Sequence, residues 1–238
     1  MKTSLLIANG FFLTLAASSM AAEATATSVA TNGGRATATA TSVGRGSANA
    51  TAVGTNYGTA RANANAVGLY RGGARSNAIA LADRGLAVSN SNAIARGTRF
   101  GSAWAESDSV AATVGGVAIS RSDALSRGSY GGLADSRSSS TATSFYGTAL
   151  SDSAAISRGR FGGRAFSTSD SLADTYGGVA TSSVRAISDA TLHGSATSDG
   201  LGVSISGPYR RSRATVRARG IAYRGGRAVT RLTAVEVR

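Results

Sequence analysis

The chain has no cysteine, and proline, tryptophan, histidine and lysine occur once each, as Pro208, Trp104, His193 and Lys2. Without cysteine there is neither a disulfide framework nor a thiolate nucleophile. A single histidine gives no His/Cys cluster for a transition metal, and Lys2 offers no P-loop. Serine is abundant, but no Gly-x-Ser-x-Gly elbow presents one as a nucleophile. These absences predict a protein with no catalytic residues, no metal and no cofactor. Large aliphatics are also scarce. Leu, Ile, Val and Phe make 43 of 238 residues, about 18%, and seven of them fall in the first 15. A chain that poor in them is either disordered or stacks a repeat that needs only small side chains.

What remains is Ala, Ser, Gly, Thr and Arg. Of 25 basic residues 24 are Arg, against 12 acidic ones, for a formal charge of +13. Arginine keeps its charge at any pH and presents a planar fork to carboxylate, sulfate or phosphate. Anionic partners such as acidic polysaccharide or an envelope surface are therefore expected.

Lys2 followed by Leu5-Leu6-Ile7 and Phe11-Phe12-Leu13 has the form of a secretory leader. Small residues at Ser19, Ala21 and Ala22 suit cleavage after Ala21 or Ala22, so residues 1–22 are predicted to be a signal peptide. No later segment is apolar enough to span a membrane as a helix. Secretion or display on the cell surface follows (periplasm or outer surface in a bacterium), and nucleic acid is not an expected partner.

Residues 23–207 repeat. An aromatic before Gly recurs at Tyr57, Phe100, Tyr130, Tyr146, Phe161 and Tyr176, the last three 15 residues apart, with Gly115-Gly116 filling one gap and His193-Gly194 continuing the series. Between these marks small residues alternate strictly, as in Ala118, Ser120, Ser122, Ala124 and Ser126. Period two is the strand period and puts every small residue on one face. Ile79, Ile94, Val110, Leu125, Ile156, Leu172 and Ile187 recur on the other face at spacings of 15, 16 or 31, as a structural ladder. Asn77, Asn92, Asp108, Asp123 and Asp170 stand two residues before members of it. The Asp series could hold calcium between coils. The Gly-Gly-x-Gly-x-Asp nonapeptide is missing, however, which favours a plain ladder with Arg121 and Arg127 as neighbours. The Gly pairs are read as strand breaks that permit positive φ.

The prediction is an all-β, repetitive parallel β-solenoid or β-roll with coils of about 15 residues, strands stacking about 4.8 Å apart. Roughly ten such coils over Ser47–Gly194 would make a rod near 50 Å long. The small face would let two sheets, or two chains, approach closely.

Asn92-Ala93-Ile94-Ala95-Arg96-Gly97, Asp108-Ser109-Val110-Ala111, Asp123-Ala124-Leu125-Ser126 and Asp170-Ser171-Leu172-Ala173 resemble the Asn-Ser-Val-Ala-Ile-Gly repeats of trimeric autotransporter adhesin heads. The resemblance covers about residues 47–194. It implies a left-handed parallel β-roll, trimeric assembly and a bacterial surface adhesin without catalysis. The heptad stalk and the aromatic-ending membrane strands of that family are absent, so a free or partner-held β-roll fits better.

Residues 208–238 hold nine Arg and one Glu. Arg210, Arg211, Arg213, Arg217, Arg219, Arg224 and Arg227 form a candidate anion-binding set. Arg224-Gly225-Gly226-Arg227 suits either a short Arg-rich β-hairpin or a polar cap on the open end of the solenoid. Three roles follow from this. The chain is a non-enzymatic structural or adhesion protein of the surface or matrix, a self-associating fibre or trimer subunit, or an anionic glycan or lipopolysaccharide binder acting through its C-terminus.

Overall fold

The computed structural model describes residues 14–237 except 56, 69–72, 97–102, 129–132, 161–163, 192–193, 207–210 and 223–226. Phe100, Tyr130, Phe161, His193, Arg210 and Arg224 lie outside the described residues. So does most of the apolar stretch of the leader.

The described residues form an all-parallel β-solenoid without helix. Its strands are β1 (Thr14–Ala30), β2 (Arg35–Gly54), β3 (Thr59–Gly68), β4 (Gly73–Ala82), β5 (Leu86–Arg96), β6 (Ala103–Thr113) and β7 (Val117–Gly128). They continue as β8 (Leu133–Ser144), β9 (Thr148–Gly159), β10 (Arg164–Thr175), β11 (Val179–Ala190), β12 (Ser195–Ser206), β13 (Arg211–Ala222) and β14 (Arg227–Val237). Each strand from β3 to β12 pairs with the strand two ahead, so odd strands build one sheet and even strands the other. The long β2 joins them, pairing with β3 through Arg35–Val43 and with β4 through Gly46–Gly54. β1 lies on the far side of β2 and runs through Ala21 and Ala22. A cut there would leave Glu23–Ala30 paired with Ser47–Gly54.

The repeat of about 15 residues is one strand and its turn, and two such units close one coil of roughly 31 residues. The solenoid therefore has about 5 turns, half the number and half the length that one unit per coil would give. The in-register neighbours are 31 apart, as in Ile94↔Leu125 and Leu125↔Ile156. The spacing of 15 or 16 is instead the relation between residues facing each other across the interior. Ser91 donates to Ser76 O, Ser122 to Ser107 O, Ser138 to Ser122 O (2.6 Å) and Ser153 to Ser138 O (2.8 Å).

Those serines explain how a chain without large aliphatics inside holds together. The alternating Ala and Ser face turns inward from both sheets and is fully buried, and Val184 is the largest buried side chain. A buried methyl contributes only about 0.8 kcal/mol, so most cohesion falls to the backbone ladders. The small side chains bring the sheets close enough for each hydroxyl to reach the opposite backbone. Ser109 donates to Ser89 O, Ser120 to Ser109 O, Ser140 to Ser120 O, Ser151 to Ser140 O, Ser171 to Ser151 O and Ser182 to Ser171 O, at 2.6–2.9 Å. This zigzag crosses the interior once per strand. A buried hydroxyl left unpaired would cost about 1–3 kcal/mol.

Among the described residues, the corners from β2–β3 to β10–β11 are closed by glycine. A Cβ on Gly85 would stand 1.9 Å from Gly58 O, on Gly116 1.9 Å from Gly85 O and on Gly147 1.9 Å from Gly116 O. At Gly85 and Gly116 the reason is close approach of backbones, not the positive φ that the sequence suggests, which both lack, whereas Gly147 combines the close approach with a positive φ of 154°. At two corners positive φ sits on the residue before the glycine, Tyr57 (67°) and Arg84 (50°).

The C-terminal segment is not a hairpin. β13 pairs with β11 and β14 with β12, all parallel, so the segment forms the terminal coil of the two sheets.

Candidate anion-binding surfaces

Outward positions repeat once per coil, so side chains of the same register stand in straight rows. The aliphatics expected as a single ladder divide between the two sheets. On the odd sheet Ile94, Leu125, Ile156 and Ile187 are consecutive and half-buried. On the even sheet Ile79 and Val110 are adjacent, and Thr141 separates Val110 from Leu172. All seven point outward, leaving the interior mostly to Ala and Ser.

The same alternation places Arg211, Arg213, Arg217 and Arg219 together on the outer face of β13, all exposed. Arg227 stands on the other sheet, at the start of β14. Beside the β13 row, Arg213, Arg217 and Arg185 line a shallow depression of about 410 Å³ together with Arg121, Asp152 and Asp123. Arg121, expected as a neighbour of the Asp ladder, is held by Asp152 at 3.5 Å and also acts on the charge of Asp123. Arg185 belongs to this basic surface and lies outside the C-terminal segment, where sequence reading did not look for it.

The Asp series is divided between the two sheets. Asp108 sits between Asn77 and Ser139 on the even sheet, and Asp123 between Asn92 and Ala154 on the odd one. Among the described residues no three His, Asp or Glu side chains converge as metal ligands. Burial raises the carboxyl pKa of Asp108, Asp123 and Asp170, and Glu106, Asp152 and Asp199 respectively raise each further. Arg75 opposes the shift at Asp108, and Arg121 and Arg185 oppose it at Asp123. Asn side chains fill neighbouring rungs without that cost. Asn77 Nδ2 donates to Asn49 Oδ1 and Asn90 Nδ2 to Asn63 Oδ1, both at 3.0 Å.

On the even sheet two arginines are paired: Arg75 meets Glu106 at 2.7 Å and lies over Trp104, and Arg137 meets Asp135 at 3.3 Å. The glycine corner carries exposed aromatics, with Phe145 and Tyr176 stacked at 5.2 Å and Tyr146 edge-on to both. Two coils away Arg84 donates to the Tyr57 hydroxyl at 3.3 Å. That bond, with the charge of Asp83, strengthens the hold of Arg84 on its proton.

No helix among the described residues is long and apolar enough to cross a membrane. No protein-family model, no curated protein and no solved structure matches the chain.

Proposed function

We propose that the chain is an exported, non-enzymatic rod of the cell surface or extracellular matrix that binds polymeric partners through repeated weak contacts. The observation that carries this reading is the set of straight outward ladders on a tightly closed Ala/Ser interior. One kind of contact recurs every coil, so modest individual affinities sum by avidity. The adhesin-head resemblance of residues 47–194 fits the same role, and the excess of arginine favours anionic polysaccharide of the envelope as the partner. The test is fractionation of the native host together with negative-stain microscopy of the purified protein. Rods that begin near Ala22–Glu23 and sediment with envelope or matrix are expected. Intact Met1 on a protein confined to the cytosol would overturn the reading.

A second reading, end-to-end assembly, is favoured by the open terminal coil. Leu232, Val235 and Val237 on β14 are 52%, 38% and 45% exposed, and among the described residues β13 and β14 each pair with one strand only. Such edges are templates for pairing. Sedimentation velocity across a concentration series separates the outcomes. An open-ended polymer supports this reading, and a discrete trimer or monomer removes it.

A further inference from the structure

Arg96, Arg127 and Arg158 occupy one outward position on three consecutive rungs of the odd sheet, close to the corner opposite the glycine ridge. All three are exposed, and none of their guanidinium groups forms an ion pair or a hydrogen bond among the described residues. Arg160 adds a fourth exposed guanidinium two residues beyond Arg158. This contrasts with the even sheet, where Arg75 and Arg137 each have a carboxylate. Like charges directly opposite on neighbouring strands are unfavourable. Partial desolvation, then Arg158, Arg96 and Arg160, loosen the proton on Arg127. The row ends at Asp189, which pairs in register with Arg158 without reaching it as an ion pair. Two residues earlier on each strand, on the same face, lies the half-buried aliphatic row Ile94, Leu125 and Ile156.

We infer that these two parallel rows form a docking stripe for a linear anionic polysaccharide laid across the strands along the solenoid axis, its acidic groups on Arg96, Arg127 and Arg158 and its ring C–H faces on Ile94, Leu125 and Ile156. The spacing between rungs is about 4.8 Å, close to the length of one pyranose ring, so a long arginine side chain on each rung can meet a charge on successive or alternate sugars. Guanidinium pairs bidentately with carboxylate or sulfate. A glycan is favoured over single-stranded nucleic acid because no aromatic among the described residues stands on the outer face of the odd sheet to stack a base. A flat, half-buried aliphatic row offers no depth for an acyl chain, which argues against a lipid anchor. The stripe rests on the surface-rod reading for its setting but uses arginines separate from the terminal coil.

The test is calorimetric titration of the full chain with a polyuronate, heparin, a neutral polysaccharide and single-stranded DNA. It compares the parent with Arg96→Gln/Arg127→Gln/Arg158→Gln, with the corresponding triple Lys variant and with Arg211→Gln/Arg213→Gln/Arg217→Gln/Arg219→Gln. The Gln ladder variant is expected to lose at least tenfold in affinity for one or both acidic glycans, the Lys variant less, and the terminal-coil variant little. Which of polyuronate and heparin binds more tightly identifies carboxylate or sulfate as the acidic group. Circular dichroism of the Gln variant should match the parent, since the three sites are exposed and their mutual repulsion is relieved. Unchanged binding by the Gln ladder variant, tighter binding of DNA than of either glycan, or no glycan binding by the parent overturns the inference. The first of these leaves the surface-rod reading standing, with the terminal coil as its anion site. Failure of the rod reading itself shows separately, in fractionation and microscopy.

Discussion

Gly115 and Gly116 are adjacent in sequence and predicted to behave oppositely. A Cβ on Gly116 would lie 1.9 Å from Gly85 O and 2.8 Å from Gly85 C, both backbone atoms of the preceding coil. Relief requires the two corners to separate by about 1 Å before the contact becomes tolerable. That corner is pinned by Val117 N–H donating to Gly85 O and Thr148 N–H donating to Gly116 O, both at 3.1 Å. Overpacking costs about 1–3 kcal/mol, and a backbone bond lost with its partner left unsatisfied adds about 1–3 kcal/mol. Gly116→Ala should therefore destabilise by about 2–6 kcal/mol. On Gly115 the added methyl would meet only Arg84, at 3.6 Å, so Gly115→Ala should stay within about 0.5 kcal/mol. Urea unfolding followed by circular dichroism reads the whole solenoid, while Trp104, the single tryptophan, reports from β6, the strand entering this corner. Because a solenoid unfolds by neighbouring units, the Trp104 transition should move at least as far as the global one. Equal midpoints for the two variants would refute the close-approach account of the corner glycines.

In the last coils Val184 and Val216 replace small inward residues, and Gly200 and Gly202 make room for them. A Cβ on Gly202 would stand 2.7 Å from Val216 Cγ2, so Gly202→Ala should cost about 1–3 kcal/mol, and adding Val216→Ala should recover part of it in a double-mutant melt. Ser122→Arg or Ala155→Arg should abolish the cooperative β-sheet melt, because both sites are fully buried, whereas Arg121→Ser should change stability by no more than about 0.5 kcal/mol. The raised carboxyl pKa values of Asp108, Asp123 and Asp170 mean that the folded state holds these protons more tightly than the unfolded chain does. Their contribution is favourable below the ordinary carboxylate range and is lost as pH rises through the elevated folded values. Asp108→Asn should accordingly raise the urea midpoint at pH 7 and leave it nearly unchanged at pH 3. A larger gain at pH 3 than at pH 7 would contradict the assignment.

The parallel solenoid, the strand period and the inward small face are legible in the sequence because each is a local pattern. Ala118, Ser120 and Ser122 show by alternation alone which face is buried. The number of strands per coil is not legible in this way. A period of 15 or 16 is compatible with one strand per coil or with two that face each other, since Ala and Ser serve equally well above, below and across. The information that separates these lies outside the small face, in residues that recur at twice the period. Arg96, Arg127 and Arg158 are 31 apart, and the half-period positions between them, Ala112 and Thr143, carry no charge. A row that skips every second unit has to belong to one of two sheets.

The same logic explains why the basic surface looked terminal. Nine arginines in 31 residues are conspicuous along the chain, but stacking converts sequence distance into height. Arg185, in the solenoid body, comes to stand against Arg217, 32 positions later and one rung away. Three arginines spread over more than 60 residues become neighbours on adjacent rungs. Local charge density therefore finds the terminal coil and misses the row in the solenoid body, because what gathers charge in this fold is recurrence at the coil length. Gly200 and Gly202 were missed for a related reason. They break the Ala/Ser alternation within β12 with no local motive, and their cause is a pair of valines on the opposite sheet, Val184 and Val216, 16 residues before and after Gly200.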